Sequence, residues 1–293
     1  MPLSHRLAIS RLNGDRVFVI GGLALLVILS WAYLLYISND MKGATAMSAA
    51  TPNMMPWLLM DWVSMFVMWS VMMVGMMVPS ASPMILVFSN VNRQKRKSDM
   101  PYVSTSVFLV GYIIVWTGFS AVATVFNWAL HTDALLSGMV AESTVALLGG
   151  GLLLAAGVFQ WTPWKNACLK QCRTPMGFVM TEWRDGNSGA LLMGLKHGTF
   201  CLGCCWLLMA LLFVLGVMNL VWIAALAVLV LVEKVVPQGA WISRISGFGL
   251  VGWGGLVHAQ IIQKGGRSLR SCSRKGVKVR ILSWAPRFFS CAQ

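Results

Sequence analysis

Runs of apolar residues, each near twenty long and almost free of charge, set the terms for this chain. Inside a bilayer every backbone N–H and C=O must be satisfied within its own segment, so such runs are read as helices of about 20 residues. Six are expected, at roughly 17–38, 57–88, 107–130, 144–161, 198–217 and 219–236. A stretch at about 246–262 is a seventh candidate. Its Gly247, Gly249, Gly252, Gly254 and Gly255 lower helix propensity but permit close helix packing.

Composition supports this architecture. Hydrophobic residues make up 57% of the 293 and charged residues 11%, whereas a soluble chain carries about a quarter charged. A membrane barrel would show short alternating segments instead. The expectation is an all-α, polytopic transmembrane helical bundle of six spans with a Gly-rich seventh candidate. Its parts are a basic cytoplasmic N-terminus (1–16), one transmembrane domain (17–263) with a Cys-rich inner connection (162–197), and a basic tail (264–293). The first apolar run is longer than a signal-peptide core, so it reads as an uncleaved span.

Lysine and arginine set the orientation. Arg6, Arg11 and Arg16 precede the first span; Arg93, Lys95, Arg96 and Lys97 follow the second; Lys165, Lys170, Arg173, Arg184 and Lys196 occupy the fourth connection. The intervening connections carry almost none. This places the N-terminus and the 162–197 connection on the cytoplasmic side of the membrane. The tail, rich in Lys and Arg, conflicts with seven complete crossings. It is expected to be irregular and poorly ordered, or to lie along the inner leaflet through Trp284, Phe288 and Phe289. The net charge of +14 is therefore a topology signal and a contact with anionic lipid, not a nucleic-acid footprint.

Five of seven cysteines fall within 168–205. Cys168 and Cys172 sit in the connection. Cys201, Cys204 and Cys205 follow His197 at helical spacing, so they share a stripe with it at the expected cytoplasmic mouth of the fifth span. A helix N-terminus there would favour thiolate. Buried cysteines are often mere packing, but two spaced groups of thiols point to soft-metal or redox chemistry. The second span adds methionines, with Met72, Met73, Met76 and Met77 ahead of Pro79 and Pro83, which are expected to end or kink the helix. Methionine at this spacing is usually core filler. Thioether beside thiolate is also the ligand set that suits Cu(I), with zinc the rival ion. Glu233 and Lys234 are adjacent, so they point to different sides of the sixth span; Glu233 is a candidate ligand or support. Asp61 ranks below it. His131 and His258 read as structural, and Cys272 and Cys291 have no assigned role. No phosphate loop, hydrolase elbow or His-Glu-x-x-His motif is present, so an enzyme is not the leading expectation.

Three motifs together resemble a bacterial family of predicted metal-binding integral membrane proteins, some labelled copper chaperones. They are the segment Met68 to Pro83, the segment Cys201 to Met209, and Gly216 to Trp222 with Glu233-Lys234. The likeness covers roughly residues 57–256. It implies membrane metal handling. The residues alone leave three readings open. One is Cu(I) binding or transfer through Cys168, Cys172, Cys201, Cys204, Cys205, His197 and the methionines, with a metal donor or acceptor protein as partner. The others are thiol–disulfide exchange through Cys201/Cys204, with Cys168/Cys172 as shuttle, and a non-catalytic assembly subunit in which Gly194-x-x-x-Gly198 serves helix contact.

Overall fold

A computed structural model describes residues 3–48, 58–96, 105–137, 139–216, 219–274, 279–281 and 289–291. Its helices, in chain order, are α1 (Leu3–Ser48), α2 (Leu59–Arg96), α3 (Thr105–Ser137), α4 (Met139–Phe159), α5 (Pro163–Arg173), α6 (Pro175–Glu182), α7 (Gly186–Ala210), α8 (Leu212–Leu215), α9 (Leu220–Val235) and α10 (Gly239–Arg274). Two three-residue strands, β1 (Val279–Ile281) and β2 (Phe289–Cys291), pair antiparallel with Val279 opposite Cys291.

Among the described residues, four helical segments are long and apolar enough to cross a membrane: Val17–Asp40, Leu59–Gln94, Thr105–Leu130 and Gly186–Leu215. The first carries large apolar side chains in the open, including Phe18, Leu25, Ile28 and Leu29. An apolar face that broad is untenable in water and is compatible with lipid contact. The expected sixth span is the 16-residue α9, about 24 Å long at 1.5 Å per residue and so shorter than a typical crossing. The Gly-rich seventh lies inside α10. There Gly247 and Gly254 pack on α4, where an added Cβ would sit 3.0 Å from the Gly157 carbonyl oxygen and 3.1 Å from that of Gly150. Those glycines therefore let α10 lie against α4 backbone to backbone.

The α3–α7 contact matters most for the site. A Cβ on Gly194 would lie 2.1 Å from the Phe108 carbonyl oxygen, and one on Gly198 would lie 2.8 Å from a Val115 methyl. The two glycines of the Gly-x-x-x-Gly motif thus face α3, as the small-residue spacing suggests. Gly111 faces back across the same contact toward the Leu191 carbonyl oxygen, 2.4 Å from its missing Cβ. Cys201 is seven residues beyond Gly194 and so falls on the same helix face.

The 162–197 connection, whose conformation the sequence left open, is mostly helix: α5, α6 and the first turns of α7. Two expectations are corrected. The helix bearing the cysteines begins at Gly186 rather than near His197, so Cys201 lies about four turns inside it. The macrodipole, confined to the first turn, cannot act on that sulfur. Pro79 and Pro83 do not end α2, which runs unbroken to Arg96. Pro83 has no N–H for the Pro79 carbonyl, and the Ser82 hydroxyl donates to that oxygen instead at 2.8 Å. In the tail, helix continues to Arg274, followed by the β1–β2 pair. Met54, Met55, Trp284 and Phe288 lie outside the described residues, and so does the side chain of His131.

Candidate metal centre

α5 is amphipathic by spacing. Lys165, Cys168, Leu169 and Cys172 recur at i, i+3, i+4 and i+7, which puts all four on one face. Thr162 caps its N-terminus through a hydrogen bond accepted from the Lys165 N–H, and Pro163 occupies the first turn. That face packs against α7. The Cys168 sulfur lies 3.0 Å from where a Cβ on Gly203 would stand, so a residue with no side chain makes room for it.

The sulfurs gather where α5 meets α7. Cys172 interacts electrostatically with Cys201 and Cys204, and Cys205 with the same two. Cys204 and Cys205 each direct the sulfur back to the Cys201 carbonyl oxygen at 3.0 Å. Cys201, Cys204 and Cys205 are buried, Cys172 is partly buried, and all five clustered cysteines are free thiols. Hydrogen bonding with Cys201 and Cys204, then burial, pushes the Cys172 thiol well above the ordinary thiol range. Burial, with Cys204 nearby, also raises Cys168.

Two groups from other helices close on Cys201. The Lys234 ammonium of α9 donates to its sulfur at 2.8 Å and to the Ser80 hydroxyl of α2 at 3.2 Å. The Tyr112 hydroxyl of α3 lies 3.0 Å from the same sulfur and 3.1 Å from the Met77 carbonyl oxygen. A buried ammonium costs several kcal/mol unless it meets an anion. The Cys201 sulfur accepts from that ammonium, and neighbouring Glu233 bonds Lys165 instead. Lys234 thus takes over the electrostatic role that the helix terminus was expected to play.

His197 is buried one turn before Cys201, stacked on Tyr112 and met edge-on by Phe178, each with ring centroids 5.7 Å away. Its Nδ1 has no hydrogen-bond partner among the described residues, although such atoms are rarely left bare. Met72, Met73, Met76 and Met77 are all buried in α2, which packs on α1, α3, α6 and α9. Tyr112 and Lys234 bridge that methionine helix to the cysteines. Among the described residues, no group of three or more His, Cys, Asp or Glu side chains is arranged to hold a metal ion.

Glu233 turns away from the sulfurs, as adjacency to Lys234 predicts. Its carboxylate accepts from Lys165 Nζ at 2.7 Å, with both side chains essentially inaccessible. Gln160 Nε2 donates to Glu233 at 3.2 Å and to Ser246 at 3.0 Å. Ser243 donates to the Gln160 side-chain oxygen at 3.0 Å, and Lys165 donates to the same oxygen. Sequence reasoning missed Tyr112, Lys165 and Gln160. The signal for Lys165 was available: two adjacent charges in an apolar run need two partners. Nothing local marks Tyr112.

Over residues 66–257 the chain matches the PpoB2 family, described as copper chaperone. The protein belongs to that family. The match takes in α7, α5, the methionine helix from residue 66 onward and both charges of α9, so every group that meets Cys201 falls within it. Neither a curated protein nor a solved structure matches this PpoB2 family member. Family membership supports copper handling.

Proposed function

We propose that the protein binds Cu(I) as cargo within a bacterial inner membrane and transfers it. Cys172, Cys201, Cys204 and Cys205 serve as thiolate donors, with Cys168 and His197 beside them. One observation carries the reading: a buried ammonium, Lys234, stands 2.8 Å from one sulfur of a four-thiol group. A charged partner held against a thiol inside an apolar bundle favours a ligand over a packing residue. Soft sulfur donors suit Cu(I). Four thiolates would also meet the tetrahedral demand of zinc; what favours copper is the copper-chaperone description of the family. Met72, Met73, Met76 and Met77 are weaker thioether donors on this reading. Glu233 supports the site through α5 rather than binding the ion. The positive-inside bias of Lys and Arg supports a cytoplasmic side for the Cys172 end. A thiol–disulfide exchange role would need an accessible pair, and Cys201 and Cys204 are each only 1% exposed.

The test is metal content of detergent-purified protein loaded under reducing conditions. Wild type is expected to retain copper over zinc, and Cys201→Ser/Cys204→Ser to lose it. Met72→Leu/Met76→Leu conserves volume, so it should keep the fold at a cost below about 1.5 kcal/mol while binding copper more weakly. Equal copper and zinc in wild type and the cysteine variant refutes the assignment.

A further inference from the structure

The charged network behind the thiols has no part in holding the cargo, yet it ties α5, which carries Cys168 and Cys172, to α9, which carries the Lys234 bonded to Cys201. Lys165 and Cys172 share one face of α5 two turns apart. Lys165 is fully buried and bonded to Glu233 of α9 at 2.7 Å. The next residue of α9, Lys234, bonds Cys201. Gln160, just beyond α4, and Ser243 and Ser246 of α10 saturate the remaining positions around the pair. At the other end of α5, the Arg173 guanidinium donates to the Val236 carbonyl at 3.1 Å and to that of Pro237, at the exit of α9. So α5 is fastened to α9 at both ends, by side chains that flank Cys168 and Cys172.

We propose that Lys165 and Glu233 are positioning residues: their buried ion pair clamps α5 so that Cys172 is held over Cys201 and Cys204, and releasing the clamp opens the thiol group. Such a pair is poor at adding net stability, because desolvation offsets much of the attraction. It is effective at fixing one arrangement, since either charge left alone in the apolar interior is strongly disfavoured. Geometry supports a local role. α5 is an 11-residue helix bounded by Thr162 and Thr174, and Cys172 is the one partly buried sulfur of the four that meet. The copper reading enters only through the nature of the cargo.

The experiment measures alkylation of individual cysteines by mass spectrometry in the full-length, detergent-solubilised protein, together with Cu(I) release to a chelator. Lys165→Met leaves the Glu233 carboxylate unpaired. It should speed alkylation of Cys172 by at least about tenfold, as expected when a buried pair is broken and a local unit opens. Cys201 should stay slow. Lys165→Met/Glu233→Gln removes the stranded charge and the clamp together, so it should fold about as well as wild type while Cys172 still alkylates faster, a separation that a general loss of packing would not give. Copper release should accelerate in both variants. If Lys165→Met does not fold, Arg173→Gln cuts the second tie without burying a charge and should also expose Cys172 before Cys201. Unchanged Cys172 alkylation in a folded Lys165→Met or Arg173→Gln protein overturns the clamp. If wild type binds no copper, the alkylation arm still decides the clamp, and the copper assignment alone falls.

Discussion

Replacing Gly194 with alanine perturbs the site from a distance, through backbone spacing alone. The new Cβ would stand 2.1 Å from the Phe108 carbonyl oxygen and 3.1 Å from the Tyr112 nitrogen. Real Cβ atoms do not come closer than 3.0 Å to such neighbours, so α3 and α7 must part by about 0.9 Å at this level. The obstruction is backbone on both sides and cannot be relieved by turning a side chain. Inserting a methyl into a packed contact of this kind costs about 1–3 kcal/mol. Tyr112 rides on α3 and Cys201 on α7, two turns along the same interface. A parting of that size would stretch their 3.0 Å contact toward 4 Å, where a hydrogen bond is lost. The assay is thermal unfolding of the purified protein followed by thiol exposure, with Cu(I) affinity from chelator competition. Gly194→Ala should unfold at lower temperature and bind Cu(I) more weakly. Gly118→Ala is the control: it lies on α3 with nothing within 4 Å of its Cβ, and alanine is the better helix former by about 1 kcal/mol. Equal melting temperatures for Gly194→Ala and wild type would refute the close-packing argument. A lowered melting temperature with unchanged affinity would refute the link from Tyr112 to the site.

Lys234→Met removes the ammonium bonded to Cys201; charge-assisted hydrogen bonds contribute about 1.5–3 kcal/mol, so Cu(I) affinity at neutral pH should fall about 10- to 100-fold. An unchanged dissociation constant would dismiss Lys234 from the site. The Cys172 thiol, raised above the ordinary range by Cys201 and Cys204, should alkylate slowly from pH 7 to pH 9 because little thiolate forms there. Removing both partners in Cys201→Ser/Cys204→Ser lowers it toward the usual value, so its alkylation near pH 8 should accelerate; a pH profile that does not move contradicts the contact.

Local pattern marked the long apolar helices and put Cys201, Cys204 and Cys205 on one stripe with His197, because three- and four-residue spacing forces it; that Cys168 and Cys172 lie on a helix of their own, α5, was not read. The convergence of the two groups was legible only as a condition, that the connection fold back. What could not be read was anything set by distance in sequence. Tyr112 reaches Cys201 across 89 residues because three glycines let two helices touch. Glu233 finds Lys165 across 68. The position of Cys201 within its helix was misjudged because Gly186–Lys196, with its glycines and polar residues, has weak hydropathy yet propagates as helix once α3 packs against it. Hydropathy marks where a chain meets lipid, not where its hydrogen-bonded turns begin.

The partial burial of Cys172 bears on kinetics. Cys201, Cys204 and Cys205 are buried, so under the proposed copper role an ion held by them would exchange when an incoming donor bonds to it before the outgoing one lets go, and Cys172 is where such a donor would reach. The rate would then follow the concentration and reach of that donor rather than the dissociation constant. Tight retention and quick relinquishment would become compatible in one molecule, because the ion would never be set free between its two hosts.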